Sequence, residues 1–148
     1  MEEIIQEKIS ADHLLYVSLK YTKTCDVILN LLLRWRKMIE TSIENTLKEA
    51  LKKEKIGKVE ESPVGKLLQA KKLFKKDKNY QDTIDFFMML RKIEELKKER
   101  IGEFRKNVAL KVTFRGEEIL INLEQLKLYA DMLEKFISTT KQFLLSKK

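Results

Sequence analysis

The sequence predicts a mainly all-α protein: an up-and-down helical bundle of four to five helices with a small β-hairpin before the last one. Three observations carry this. Apolar residues recur every three or four positions through most of the chain, the spacing that lines one face of a helix. Four Gly and one Pro leave few breakpoints in 148 residues. From Val108 the period drops to two, and after Asn122 it returns to helical spacing. A chain of 148 residues is about one domain, 1–148, and is long enough to bury a real core.

The first helix is expected over 10–56. Its stripe is Leu14, Val17, Tyr21, Cys25, Ile28, Leu32, Trp35, Ile39, Ile43, Leu47 and Ala50. Residues 1–9, with Ile4, Ile5 and Ile9, form a short helix or extend this one. Ser10 or Asp12 suits its N-cap, since either side chain accepts from a free amide of the first turn. Thr22–Asp26 is a weak spot, because Thr and Asp compete for backbone hydrogen bonds. The stripe holds its phase there, which favours one helix or two nearly collinear ones. Gly57 supplies the stop.

Ser62-Pro63 opens a second helix over 62–78, Ser as N-cap and Pro in the first turn. Asn79–Asp82 is read as a turn. A third helix over 80–104 buries Phe86, Met89, Leu90, Ile93 and Leu96, with Gly102 as a break near its end. Val108, Leu110, Val112 and Phe114 then alternate with Ala109, Lys111, Thr113 and Arg115. Arg115-Gly116 turns the chain, and Ile119 and Ile121 return, giving a hairpin over 108–121. Such a hairpin is marginal alone and must lie on the helices. Asn122 with Gln125 reads as a capping box for the last helix, 122–146, and Lys147 and Lys148 suit its negative end.

The composition narrows the class. The hydrophobic fraction is 43% and the charged fraction 36%, which excludes a disordered chain. Cys25 is the sole cysteine, so no internal disulfide forms and a cytoplasmic home is expected. Met1-Glu2-Glu3 is acidic where a secretory leader starts basic. The most apolar run, Val27–Leu33, is broken by Asn30 and is too short for a bilayer, so no membrane association is expected. A net charge of +8 suits nucleic acid, an anionic membrane face or an acidic protein, and abundant Lys with Glu is also a thermophile-like surface.

Few residues stand out for chemistry. Lys71, Lys72, Lys75, Lys76 and Lys78, with Asp77 as the one acid among them, form the strongest positive patch. Lysines of this kind suit phosphate contact without reading sequence. Arg34, Arg36 and Lys37 flank Trp35, a cluster able to stack bases, but Trp35 is in phase with the core stripe. The run Phe86, Phe87, Met88, Met89 is wider than one stripe and points to a homodimer contact. Glu95, Glu99 and Glu103 share a helix face, with Glu94 nearby, but on a lysine-rich helix such acids pair with Lys or Arg. His13 is the only histidine, which excludes a His-based metal cluster or a histidine pair. No catalytic residue, metal ligand or cofactor is assigned.

Glu103-Phe104-Arg105-Lys106-Asn107-Val108, followed by the hairpin and by Leu126, Tyr129 and Phe136, resembles the end of some prokaryotic HEPN-like domains (higher eukaryote and prokaryote nucleotide-binding). These are all-helical bundles of about this size. Many are ribonucleases with an Arg, four to six residues, then His. Here Arg100 is followed after six residues by Asn107, and Asn cannot shuttle a proton. The resemblance therefore implies a degenerate site at Arg100, Arg105 and Asn107. It also implies a non-enzymatic protein binding RNA or a partner, such as a small nucleotidyltransferase in a toxin–antitoxin-type pair. A ribonuclease, with or without metal, and a purely structural homo-oligomer are the alternatives.

Overall fold

A computed structural model describes residues 1–147. Lys148, expected to join Lys147 at the last helix end, lies outside the described residues. The chain is mainly helical, as expected, with a small antiparallel sheet before the last helix. Its elements are α1 (Glu2–His13), a π-helical turn (Leu14–Ser18), α2 (Leu19–Tyr21), α3 (Cys25–Lys52), α4 (Pro63–Leu73) and α5 (Lys78–Lys92). They are followed by β1 (Lys97–Ile101), β2 (Ala109–Phe114), β3 (Glu117–Asn122) and α6 (Leu123–Leu145).

The helix expected over 10–56 is two helices folded back on each other. Thr22 and Thr24 are extended, and the Thr24 hydroxyl accepts from the Val27 N–H at 3.4 Å, capping α3. The reversal brings Glu7 beside Arg34 and Lys37, at 3.5 and 3.7 Å. Folding back lets the two apolar stripes cover each other, which one straight helix cannot do. Ser10 and Asp12 are not caps: both lie inside α1, where Asp12 pairs with Lys8 at 2.8 Å. The phase also differs from expectation. Leu15 and Leu19 are buried, while Val17 and Tyr21 are exposed. The π turn is the reason, because a wider turn keeps Ala11, Leu15 and Leu19, four apart, near one side.

α3 is the axis of the bundle and touches α1, α4, α5, α6 and β2. From Cys25 to Ala50 its expected stripe is buried throughout. Trp35 packs edge-on against Phe86 and Tyr129, with ring centroids at 6.1 and 6.4 Å, so it is core and cannot stack a base. The stop is not Gly57. Glu54 takes the left-handed conformation, φ 56, and the Glu54 and Lys55 amides donate back to Leu51 and Ala50. That is a Schellman ending with Glu in the usual glycine place.

Ser62 caps α4 as expected, accepting from the Gly65 N–H at 2.9 Å. The expected turn at Asn79–Asp82 is instead the first turn of α5, which Asp77 caps by accepting from the Tyr80 N–H at 3.0 Å. α5 ends at Lys92, well short of 104. The Lys98 ammonium donates to the Ile93 and Leu96 carbonyls at 2.7 and 2.9 Å, closing the backbone acceptors that follow α5.

The hairpin over 108–121 is present and gains a strand. β2 is central in the order β1-β2-β3, all antiparallel, with Arg100 opposite Leu110 and Leu110 opposite Ile121. Arg115 and Gly116 both take positive φ, 52 and 81°, the geometry of a tight type I′ turn. Val108, Leu110, Val112 and Ile121 are buried beneath the sheet. On its outer face Lys111 pairs with Glu118 at 2.9 Å and Glu99 at 3.7 Å. Asn122 caps α6, accepting from the Gln125 N–H at 2.8 Å.

Candidate functional site

The expected lysine face does not lie on one helix. Lys71 and Lys72 end α4, Lys75 and Lys76 sit in the following turn, and Lys78 opens α5. Gln81 holds that turn, donating to the Lys71 and Phe74 carbonyls at 2.9 Å each. Two of the five cations are spoken for: Lys71 pairs with Asp85 at 2.9 Å and Lys78 with Asp82 at 3.1 Å. Lys72, Lys75 and Lys76 are exposed, and none has a carboxylate within ion-pair reach among the described residues.

Lys72 and Lys75, with Lys55 from beyond α3, line an open groove of about 830 Å³ between the C-terminal ends of α3, α4 and α6. Ile56, Leu73, Phe74 and Phe143 form its apolar lining, and Glu60 is its one acid. Phe74 stacks on Tyr80 at 4.3 Å and meets Phe143 edge-on at 5.4 Å, while Tyr80 leads to Phe136 at 5.0 Å. An aromatic ladder thus runs from groove to core. Beside it the Lys53 ammonium lies 4.5 Å from the Phe143 ring centroid and donates to that residue's carbonyl. Lys53, Lys55, Phe74 and Phe143 were not legible as one place, although Lys52-Lys53-Glu54-Lys55 is a visibly basic run.

Arg100 lies on β1 and Arg105 and Asn107 on the loop after it, rather than on a helix. Arg100 donates to Asp26 at 2.7 Å and to Glu103 at 3.2 Å. Those two hydrogen bonds, Asp26's first, raise the guanidinium pKa further. Its charge is thus already matched by two carboxylates. The loop turns at Gly102, φ 60°, where an added Cβ would lie 2.5 Å from the Asn107 side-chain oxygen and 3.0 Å from its backbone carbon. Asn107 is itself exposed, with its side chain close beside Gly102.

The acids expected on one helix face are dispersed, because β1 replaces that part of the helix. Glu94 pairs with Arg36 at 2.8 Å, Glu99 with Lys111, and Glu103 with Arg100 while accepting from the Cys25 N–H at 3.2 Å. Among the described residues no group of three or more His, Cys, Asp or Glu could hold a metal. His13 is exposed at the end of α1.

The run offered as a dimer contact is core. Phe86, Phe87 and Met89 are buried within the single chain, and Phe86 stacks on Tyr129 at 4.1 Å. Only Met88 keeps partial exposure, beside Arg115. The run is wide because α5 is covered by α3, α4 and α6 together. Among the described residues no helix is long and apolar enough to cross a membrane.

The fold and groove define a mainly helical bundle with an inserted three-stranded sheet and a cation-rimmed aromatic groove at one end. Comparisons with protein-family models, with characterised proteins and with solved structures find no match to this chain.

Proposed function

We propose that this chain is a non-enzymatic, HEPN-like protein of the cytoplasm that binds RNA through its phosphates, beside a partner such as a small nucleotidyltransferase in a toxin–antitoxin-type pair. The observation that carries RNA binding is the groove: Lys55, Lys72 and Lys75 line it together with Phe74 and Phe143, with a single acid, Glu60, among them. Lysines without carboxylate partners are free to replace the counterions of a phosphate backbone. A partly exposed aromatic lining offers base faces a surface as well. The non-enzymatic part rests on chemistry. Arg100 is engaged by two carboxylates, and Asn107 does not titrate, so the pair lacks a proton shuttle. Self-association through Phe86, Phe87, Met88 and Met89 is not part of the proposal, since three of the four are core.

Fluorescence anisotropy with labelled RNA tests it. Lys55, Lys72, Lys75 and Lys76 contacting about four phosphates give a salt slope of about −3, roughly a fiftyfold loss between about 50 and about 200 mM salt. Replacing Lys72 and Lys75 by Glu is expected to remove most of the affinity at low salt. RNA affinity unchanged in that variant overturns the groove as the site.

A further inference from the structure

At the opposite end of α3 from the groove, two connections are stitched together: Thr22–Thr24, and 102–107 ahead of β2. The Phe104 N–H donates to the Lys23 carbonyl at 2.6 Å, and the Cys25 N–H to Glu103 at 3.2 Å. Asp26 and Arg100 pair across the same seam at 2.7 Å. The seam pins Phe104 at φ 66°, a left-handed conformation that a bulky side chain adopts only when its surroundings force it. Yet the ring so constrained is 76% exposed. Packing therefore gains little from the strain. On the other side of the seam, two positions before Lys23, Tyr21 is 78% exposed, with the Lys20 ammonium 5.8 Å from its ring centroid. Lys23 lies in the first connection, Arg105 and Lys106 lie in the second, and Lys20 lies beside Tyr21 in α2; none of the four has a carboxylate within ion-pair distance among the described residues, and the Lys23 ammonium donates to the Lys20 carbonyl at 2.7 Å.

We infer that this seam is a stacking platform for single-stranded nucleic acid, with bases on Phe104 and Tyr21 and phosphates on Lys20, Lys23, Arg105 and Lys106. The inference rests on the RNA-binding reading and adds a second place on the molecule and the form of the strand. Exposed rings among cations without carboxylate partners match the two faces of a nucleotide, its base and its charge. A duplex keeps its base faces stacked internally and has none to offer. A second copy of the chain is a poor occupant, because a two-fold contact would set these cations against themselves.

The test is anisotropy at low salt with a labelled oligouridylate, an oligothymidylate and a duplex RNA, with heparin as a polyanion that has no bases. Phe104→Gly and Tyr21→Ala are each expected to weaken single-strand binding roughly tenfold. Stacking does not read the ribose hydroxyl, so loss with either oligonucleotide supports the platform. Heparin and duplex affinity are expected to stay within about twofold of the original chain, because only phosphate contacts serve them. Phe104→Gly is informative because glycine relaxes the left-handed backbone, so its melting temperature is expected to equal or exceed the original. A variant that folds better and binds worse has lost a contact, not its structure. Single-strand affinity unchanged in both variants, but lost on Lys72→Glu with Lys75→Glu, overturns the platform and leaves RNA binding standing. Equal losses for heparin overturn stacking. Binding of heparin without any nucleic acid overturns both readings.

Discussion

Tyr80 is fully buried, and its hydroxyl has no hydrogen-bond partner among the described residues. An orphaned buried hydroxyl has lost its water and gained nothing in return. Tyr80→Phe keeps the ring contacts to Phe74 and Phe136 and is expected to leave stability unchanged or raise it by up to about 1 kcal/mol. The same residue sets an alkaline limit. Burial, and next the Asp77 carboxylate, raise its pKa above the ordinary 10.0. The folded state thus holds the phenolic proton more tightly than the unfolded chain. That preference costs nothing below pH 10, and stability falls as pH rises from there through the raised value. Urea unfolding at about pH 8 and about pH 11 checks the sign, a window set by this linkage. The original chain is expected to lose more stability between them than Tyr80→Phe does. Burial also raises Tyr129, so the variant keeps part of the loss.

At the turns, glycine and the left-handed conformation coincide only in part: Gly102 and Gly116 take positive φ, and so do Glu54, Phe104 and Arg115. Gly57 has an ordinary φ and open space around it, while Glu54 carries the left-handed ending of α3. Glu54→Gly is expected to stabilise by about 1 kcal/mol, since glycine takes that conformation without a Cβ penalty. Gly57→Ala is expected to be neutral or slightly stabilising, through a less flexible unfolded chain. Gly102 is the reverse case, with both positive φ and Asn107 against it. Gly102→Ala is expected to cost about 1–3 kcal/mol and to loosen the loop that carries Phe104. Thermal melts of the three variants give the order Glu54→Gly, Gly57→Ala, Gly102→Ala from most to least stable.

Across the whole molecule, cohesion is uneven. α3 is enclosed by α1, α4, α5, α6 and β2, whereas β1 is an edge strand with none of its residues buried. β1 is held by its ladder to β2, by Lys98 and by the Arg100 pairs. Exposed ion pairs contribute little, so β1 depends mainly on backbone hydrogen bonds open to water. Amide exchange followed by mass spectrometry is expected to show β1 opening first, α3 and β2 last. Equal protection of β1 and β2 would contradict this ranking.

Much of the fold was legible because it is local. The buried face of α3 from Cys25 to Ala50, the Ser62 and Asn122 caps, and the Arg115-Gly116 turn each depend on residues within a few positions of one another. The Asp77 cap was equally local, yet no Glu or Gln follows at Tyr80 to complete a capping box, so it passed as one acid among lysines. The direction of α1 was not local. It depends on two stripes covering each other, and periodicity is the same for one straight helix as for a hairpin of two. β1 is the clearest case: Lys97-Lys98-Glu99-Arg100-Ile101 reads as helix by composition and becomes a strand because β2 has a free edge to pair. The candidate sites follow the same division. The sequence alone determined that cations cluster around Lys72 and Lys75 and that Asn107, which does not titrate, follows Arg100 after six residues. Only the tertiary structure decided that Lys55, Phe74 and Phe143 meet those lysines in a groove, and that Phe104 is pinned beside Lys23. Both arrangements join residues far apart in the chain, and only packing and hydrogen bonding between elements bring such residues together.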